Sequence, residues 1–263
     1  MADERLTEAE QAPTEQPPET ETEPKPRIER VLVVSAHPDD PEFGSGATIA
    51  KLAQEGAEVY YCICTDGSQG GEDPSVPDQE LTRRRYAEQR DAAAVLGVKE
   101  VCFLGFRDGS LAPTVELRRA ITAEIRRRKP DLVITHSPNR ALATQGIGAS
   151  HPDHLAVGEA TLSAVYPDAR NPRAYSEQLL RGLEPHKVRE VWVNAIDVSD
   201  HFVEISEQLL ETKLKAIMCH RSQFEKPDVD PDAPAKWIRE RMKRIGEKAG
   251  YEYAEGFKRL ETA

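Results

Sequence analysis

The strongest constraint on how this chain folds is a regular succession of short apolar runs and longer amphipathic stretches between residues 31 and 196. Residues 31–36 (VLVVSA) contain no polar alternation beyond Ser35, the pattern of a strand buried on both faces. Residues 59–65, 101–104, 132–135 and 191–196 read as further strands. Helical stretches lie between them. Residues 44–54 place Ile49, Leu52 and Ala53 on one face, residues 79–96 form a long helix ended by Gly97, and Pro130 halts the helix over 115–129. Residues 152–165 open on a proline, and residues 205–220 and 234–248 read as closing helices. Strands and helices in this order build a parallel sheet covered on both faces, with active residues in the loops after the strands. The expected fold class is therefore α/β: a Rossmann-like, mostly parallel sheet with helices on both faces and the active site at the C-terminal ends of the strands.

Residues 1–27 differ from the rest. Asp3, Glu4, Glu8, Glu10, Glu15, Glu19, Glu21 and Glu23 outnumber Arg5, Lys25 and Arg27, prolines are frequent, and Leu6 is the only strong aliphatic side chain. Such a segment buries too little apolar surface to offset its ordering entropy and reads as a disordered acidic tail. Residues 28–263 suit a single α/β domain. The net charge of −11 argues against nucleic acid and anionic membranes as partners, because both reward a basic face. The basic runs Arg83-Arg84-Arg85 and Arg126-Arg127-Arg128-Lys129 fall in helical stretches and read as solvated faces. No apolar leader and no membrane-length apolar window is present. Cys62 and Cys64, two apart on a strand, have neither zinc-knuckle nor redox-pair spacing. Together with Cys102 and Cys219 they suit a reducing, cytoplasmic setting.

Two segments concentrate the chemistry. Ala36-His37-Pro38-Asp39-Asp40-Pro41-Glu42-Phe43-Gly44 follows the first strand, and Ser150-His151-Pro152-Asp153-His154 comes after the fourth. A catalytic zinc needs three N/O ligands and one open position, and His37, Asp40 and His154 can supply the three. Zinc lowers the pKa of a bound water from ~15.7 to ~7. Asp39, adjacent and unused, can take the proton from that water as general base, and Asp153 can fix the tautomer of His151. Either aspartate of the first segment, and Asp153 in the second, could instead cap the helix that follows. On residue chemistry alone the reading stops at a metal site with water-activating acid and base groups. The pair Gly44-x-Gly46 lacks the third glycine of a dinucleotide loop, and no Lys-Ser/Thr follows the glycines at 67–71, which read as a mobile rim receiving a sugar. His136, at the end of the fourth strand, is open to a structural role or to a place in the site.

These residues resemble a known family, the PIG-L/LmbE-like zinc-dependent N-acetylglucosaminyl deacetylases. The resemblance rests on His37-Pro38-Asp39-Asp40, Glu42-Phe43-Gly44-x-Gly46-x-Thr48-Ile49 and His151-Pro152-Asp153-His154. Weaker support comes from Thr65-Asp66-Gly67-Ser68-x-Gly70, Arg85-x-x-Glu88, Phe103-Leu104-Gly105-Phe106-x-Asp108-Gly109 and His220-Arg221-Ser222-Gln223. It implies zinc on His37, Asp40 and His154, with iron(II) also compatible with the ligand types. It implies Asp39 as general base, and a protonated His151, oriented by Asp153, as the group stabilising the oxyanion. It places Arg85 and the Asp66 loop near substrate; His220, at a helix end, is a further candidate for substrate contact. Pro41 departs from the small residue often found there, and the acidic tail is not a family feature.

The implied activity is removal of an acetyl group from the amide nitrogen of an N-acetylated amino sugar, a small-molecule partner, with homo-oligomerisation left open. Two alternatives remain: an amidase acting on a larger amide, such as a thiol-sugar conjugate, and a non-catalytic zinc- or glycan-binding module.

Overall fold

A computed structural model describes residues 27–71, 73–140, 147, 150–224 and 233–262. The reading of residues 1–27 as a disordered tail lies, all but Arg27, outside the described residues. The elements in chain order are β1 Arg30–Ser35, α1 Asp40–Gln54, β2 Glu58–Thr65, α2 Asp78–Leu96, β3 Glu100–Phe106, α3 Val115–Arg128, β4 Leu132–His136, α4 Pro152–Ser163, α5 Ser176–Leu179, β5 Glu190–Asn194, β6 His201–Glu204, α6 Glu207–Ile217, α7 Arg221–Phe224, α8 Ala233–Ala249 and β7 Ala254–Glu261. Among the described residues no helix is long and apolar enough to cross a membrane.

The strands form one sheet in the order β3-β2-β1-β4-β5-β7-β6. The first five are parallel, and β7 runs antiparallel to both its neighbours. Val31 pairs with Val59 on one side and Leu132 on the other, so β1 is central. Its alternate side chains enter two separate cores. Val31 and Val33 pack with Ile49, Leu96 and Leu210 from α1, α2 and α6, while Leu32 and Val34 pack with Ile121 and Val157 from α3 and α4. A strand covered on both faces has no polar side to expose, which explains the unbroken apolar run.

Connections from β1 lead outward through β2 to β3, and the chain then returns to place β4 on the other side of β1. This reversal leaves a crevice beyond the carboxyl ends of β1 and β4, the usual ligand position in an open α/β sheet. Both chemistry-rich segments flank it: residues 37–40 follow β1, and α4 starts from His151.

Three differences from the sequence reading have physical causes. Helix α1 begins at Asp40 rather than at 44, and its path breaks at Ser45 (φ −144°, ψ 19°). Strands β6 and β7 were not expected. Strand β6 has only four residues, and β7 ends in charged residues that do not alternate as a half-buried strand does. Finally, each basic run contains a buried arginine, Arg85 at 3% exposure and Arg126 at 1%. The Arg126 guanidinium donates to the carbonyls of Asp168, Ala169, Asn171 and Ala174, which ties down the stretch after α4.

Helix α4 can approach the end of β4 because residue 158 is glycine. A Cβ there would lie 2.6 Å from the His136 carbonyl oxygen and 2.8 Å from the Pro138 nitrogen. Backbone atoms cannot yield as a flexible side chain would. Gly158→Ala is expected to cost about 1–3 kcal/mol of stability. Urea unfolding measures it, and an unchanged midpoint and slope would contradict this packing.

Candidate active site

His37, two residues beyond the end of β1 at Ser35, is clamped from both ring nitrogens. Its Nε2 lies 3.1 Å from Asp108 Oδ1 and 3.2 Å from Asp153 Oδ2. Two carboxylates on one nitrogen assign the proton to Nε2, and the Nδ1 lone pair then points the other way. There it meets Asp40 Oδ2 at 3.3 Å and His154 Nε2 at 3.3 Å, while His154 Nε2 lies 3.0 Å from Asp40 Oδ1. The two segments, more than a hundred residues apart in sequence, therefore meet.

An imidazole lone pair facing a carboxylate oxygen repels it unless a positive charge lies between them. Burial opposes charge on His37, but Asp40, Asp108 and Asp153 outweigh it and push its pKa up to about 12, so with no cation a second proton occupies Nδ1, the place a metal ion would take. The His154 pKa is likewise raised by Asp40 against burial, and Asp40, though buried, is held well below the usual carboxylate range by His154 and His37. The donor set fits a divalent cation: two imidazoles and one carboxylate converge, and carboxylates fix the tautomer of one ligand from behind. His37, His151 and His154 also lie close enough to share an ion, as do Asp40, His136 and His154.

Asp39 stands beside this cluster in an unusual backbone conformation (φ 102°, ψ −31°). Non-glycine residues rarely adopt it, and it persists only where the surroundings impose it. Gln89 Oε1 accepts the Asp39 N–H at 2.8 Å, and Arg85 donates to the Pro38 carbonyl at 2.6 Å and to Asp39 Oδ2 at 3.1 Å. The Asp39 carbonyl then accepts from Glu42 and Phe43 to start α1. Burial pushes the Asp39 pKa up to about 6, against the pull of Arg85. A carboxyl tuned towards neutrality suits proton transfer.

The remaining expected site residues fall in different places. The Asp153 carboxylate was expected to orient His151. Its oxygens instead meet His37 Nε2 and the backbone N–H groups of Gly109 and Leu111. His151 packs edge-on against His37, ring centroids 4.8 Å apart, and its Nδ1 accepts the Asp153 N–H at 3.2 Å. Burial, with His37 and His154, lowers its pKa, away from the protonated form expected from the sequence, and with Nδ1 accepting it is Nε2 that is left to donate. Asp66 accepts from the N–H groups of Ser68 and Asp108 and shapes its own loop. Arg85 lies buried behind Asp39, and it also holds the Gly67 carbonyl at 2.8 Å. With Gln69 N–H held by Asp108, the glycine loop is fastened at several points. His220 is fully buried, its Nε2 3.1 Å from Glu42 Oε2, and Glu42 also accepts from Gln89. It thus steadies Glu42, which holds Gln89, which in turn holds the Asp39 backbone.

Two site residues were weakly signalled by sequence. Asp108 sits in the turn after β3, and only sheet order brings it to His37. His136 stacks on His154, centroids 4.2 Å apart and 9° between planes. Its Nε2 lies 3.2 Å from both the Ala36 nitrogen and Asp40 Oδ2. One nitrogen cannot accept from the first and donate to the second, and burial, which lowers its pKa, favours accepting. His136 therefore buttresses the cluster. Beside it opens a cavity of about 840 Å³, lined by Asp40, His136 and His154 and, further out, by Phe43, Asn194 and one face of α8. Asp153→Asn removes a charge from behind His37 and is expected to weaken divalent-ion affinity by about 10–100-fold. Competition with a chromophoric chelator reads this directly, and unchanged affinity would contradict the clamp.

Comparison with known proteins identifies the chain's family. Residues 32–165 match the family described as PIG-L, GlcNAc-PI de-N-acetylase. The chain is 36% identical to a diacetylchitobiose deacetylase of Thermococcus kodakarensis, across 90% of this chain and 85% of that protein. It is 31% identical to a probable N-acetyl-alpha-D-glucosaminyl L-malate deacetylase 2 of Bacillus cereus, across 78% of this chain and 89% of the other. Its structure resembles N,N'-diacetylchitobiose deacetylase from Pyrococcus horikoshii, with a TM-score of 0.80 and 34% identity, covering 89% of this chain and 84% of that one. The family match, the related sequences and the shared fold agree: the chain belongs to the PIG-L, GlcNAc-PI de-N-acetylase family.

Proposed function

We propose that this protein is a metal-dependent hydrolase that removes an acetyl group from the amide nitrogen of an N-acetylated amino sugar. The observation that carries this reading is the convergence of His37 Nδ1, Asp40 and His154 Nε2 within 3.3 Å of one another, with Asp39 alongside. Relatives named as deacetylases of diacetylchitobiose and of an N-acetylglucosaminyl malate support the substrate class.

His37, Asp40 and His154 would hold the ion, and the donor types suit zinc, with iron(II) also accommodated. When bound, such an ion acidifies water and polarises a carbonyl. The chain's own groups do the rest. Asp39 accepts the proton of the attacking water and returns it to the departing amine nitrogen. Arg85 and Gln89 hold that carboxyl in place from behind. His151, with its proton on Nε2, donates to the oxygen on which negative charge develops. Asp108 and Asp153 keep the His37 lone pair turned towards the ion. The four cysteines are free thiols, which suits the cytoplasm as the place of action.

Asp39→Asn tests the base without changing shape, and asparagine tolerates the positive φ better than alanine. It is expected to retain the metal and lose about 10²–10⁴ in kcat on an N-acetylglucosaminide. Amine release and metal content measured together check this; near-normal turnover would refute the assignment. His154→Ala is expected to lose the metal, and elemental analysis showing a full complement in the variant would count against its role. Release of amine from N-acetylated sugars, with and without a chelator, also separates this reading from a non-catalytic glycan-binding module.

A further inference from the structure

The cavity beside the candidate metal cluster is bounded on its outer side by α8, beyond the residues matched by the family. Trp237, Arg241, Arg244, Ile245 and Lys248 recur at helical spacing and share the face of α8 turned to this cavity. Three of these five are cationic in a chain of net charge −11.

Among the described residues, the other charges on the cavity wall offset them only in part: Glu255 attracts Arg241, but its carboxylate is already shared. Lys213 and Glu255 satisfy each other at 2.5 Å, and Glu255 further accepts from the Ala47 and Thr48 N–H groups. Asp40 is engaged by His37 and His154. Among the described residues, Asp197, exposed, is the remaining acid on the wall. Arg241 is half-buried, yet among the described residues its hydrogen bonding is a contact of 3.5 Å to the Phe43 carbonyl. A guanidinium has five N–H donors in a fork matched to carboxylate or phosphate oxygens. Trp237, 49% exposed, lies with its ring 5.4 Å from the Arg241 guanidinium carbon. An indole with an open face beside a charged fork can receive a sugar ring and an acidic substituent together.

We propose that α8 forms a subsite for an anionic group, a carboxylate or a phosphate, on the part of the amino-sugar substrate remote from the acetamide, with Arg241 as its main contact and Arg244 and Lys248 at the rim. This rests on the deacetylase reading above and sharpens its substrate class from amino sugars in general to acidic ones. The cavity, at about 840 Å³, has room for a disaccharide-sized ligand.

The test uses the full-length, metal-loaded protein and three probes: neutral N,N'-diacetylchitobiose, the disaccharide of N-acetylglucosamine and a uronic acid, and N-acetylglucosamine 1-phosphate. Wild type is expected to favour at least one acidic probe over the neutral one by about tenfold in kcat/KM, mainly through KM. The probe showing the preference identifies carboxylate or phosphate. In Arg241→Gln that ratio is expected to collapse towards unity, and in Arg244→Gln, at an exposed position, to fall by a smaller factor. Wild-type preference for the neutral probe, or a ratio unmoved by both variants, overturns the subsite. If Arg241→Gln does not fold, Arg244→Gln still decides. If no probe loses its acetyl group, the deacetylase reading fails separately. Calorimetric binding of the same probes then decides the subsite: tighter acidic binding weakened in Arg244→Gln supports it, and equal binding of acidic and neutral probes overturns it.

Discussion

The site depends on one interaction, the grip of Asp108 and Asp153 on His37 Nε2. It commits Nε2 to a proton, so the Nδ1 position facing Asp40 and His154 is left for a cation or, without one, a second proton. Without it a neutral ring could carry its one proton on Nδ1 and donate it to Asp40, leaving no lone pair there for an ion. The grip spans the fold. Asp108 comes from the turn after β3, Asp153 from the start of α4 and His37 from the end of β1. Assembling the sheet in its observed order is therefore the same event as assembling the donor set.

The cost is several buried charges near one another, and the structure compensates each with a partner. Arg85 neutralises Asp39 and holds two backbone carbonyls, Glu42 is bound by Gln89 and His220, and Lys213 by Glu255. Buried polar groups are tolerable only when satisfied in this way. The same contacts maintain Asp39 at a positive φ, so the strain that aims its carboxyl is balanced by a network reaching α2 and the end of α6. Removing one partner leaves a buried group uncompensated, which typically costs more than the contact itself contributed.

Much of this was legible in the sequence, for identifiable reasons. Strand β1 announced itself because both its faces are buried. The parallel order followed from helices between strands, and His37, Asp40 and His154 stood out because imidazole and carboxylate recur at two strand ends. What was not legible depended on contacts between distant residues. Nothing local to Asp108 says that it meets His37, nor to Arg85 or His220 that each lies buried rather than lining a pocket. Asp153 was expected to orient His151; that its carboxylate meets His37 instead depends on the turn of α4 against β4 that Gly158 permits. Strand β7 escaped notice because Lys258, Arg259 and Glu261 mask its period, although Phe257 is buried and Arg259 pairs with Glu190 on β5.

The central claim is that one ion is held by three side chains from two distant segments, with a face left open for chemistry. Anomalous diffraction at the zinc edge, from crystals grown with zinc, tests it most directly. The account predicts a peak bonded to His37 Nδ1, the Asp40 carboxylate and His154 Nε2, with no fourth protein ligand. A peak elsewhere, or one closed off by His136 or His151, would contradict it.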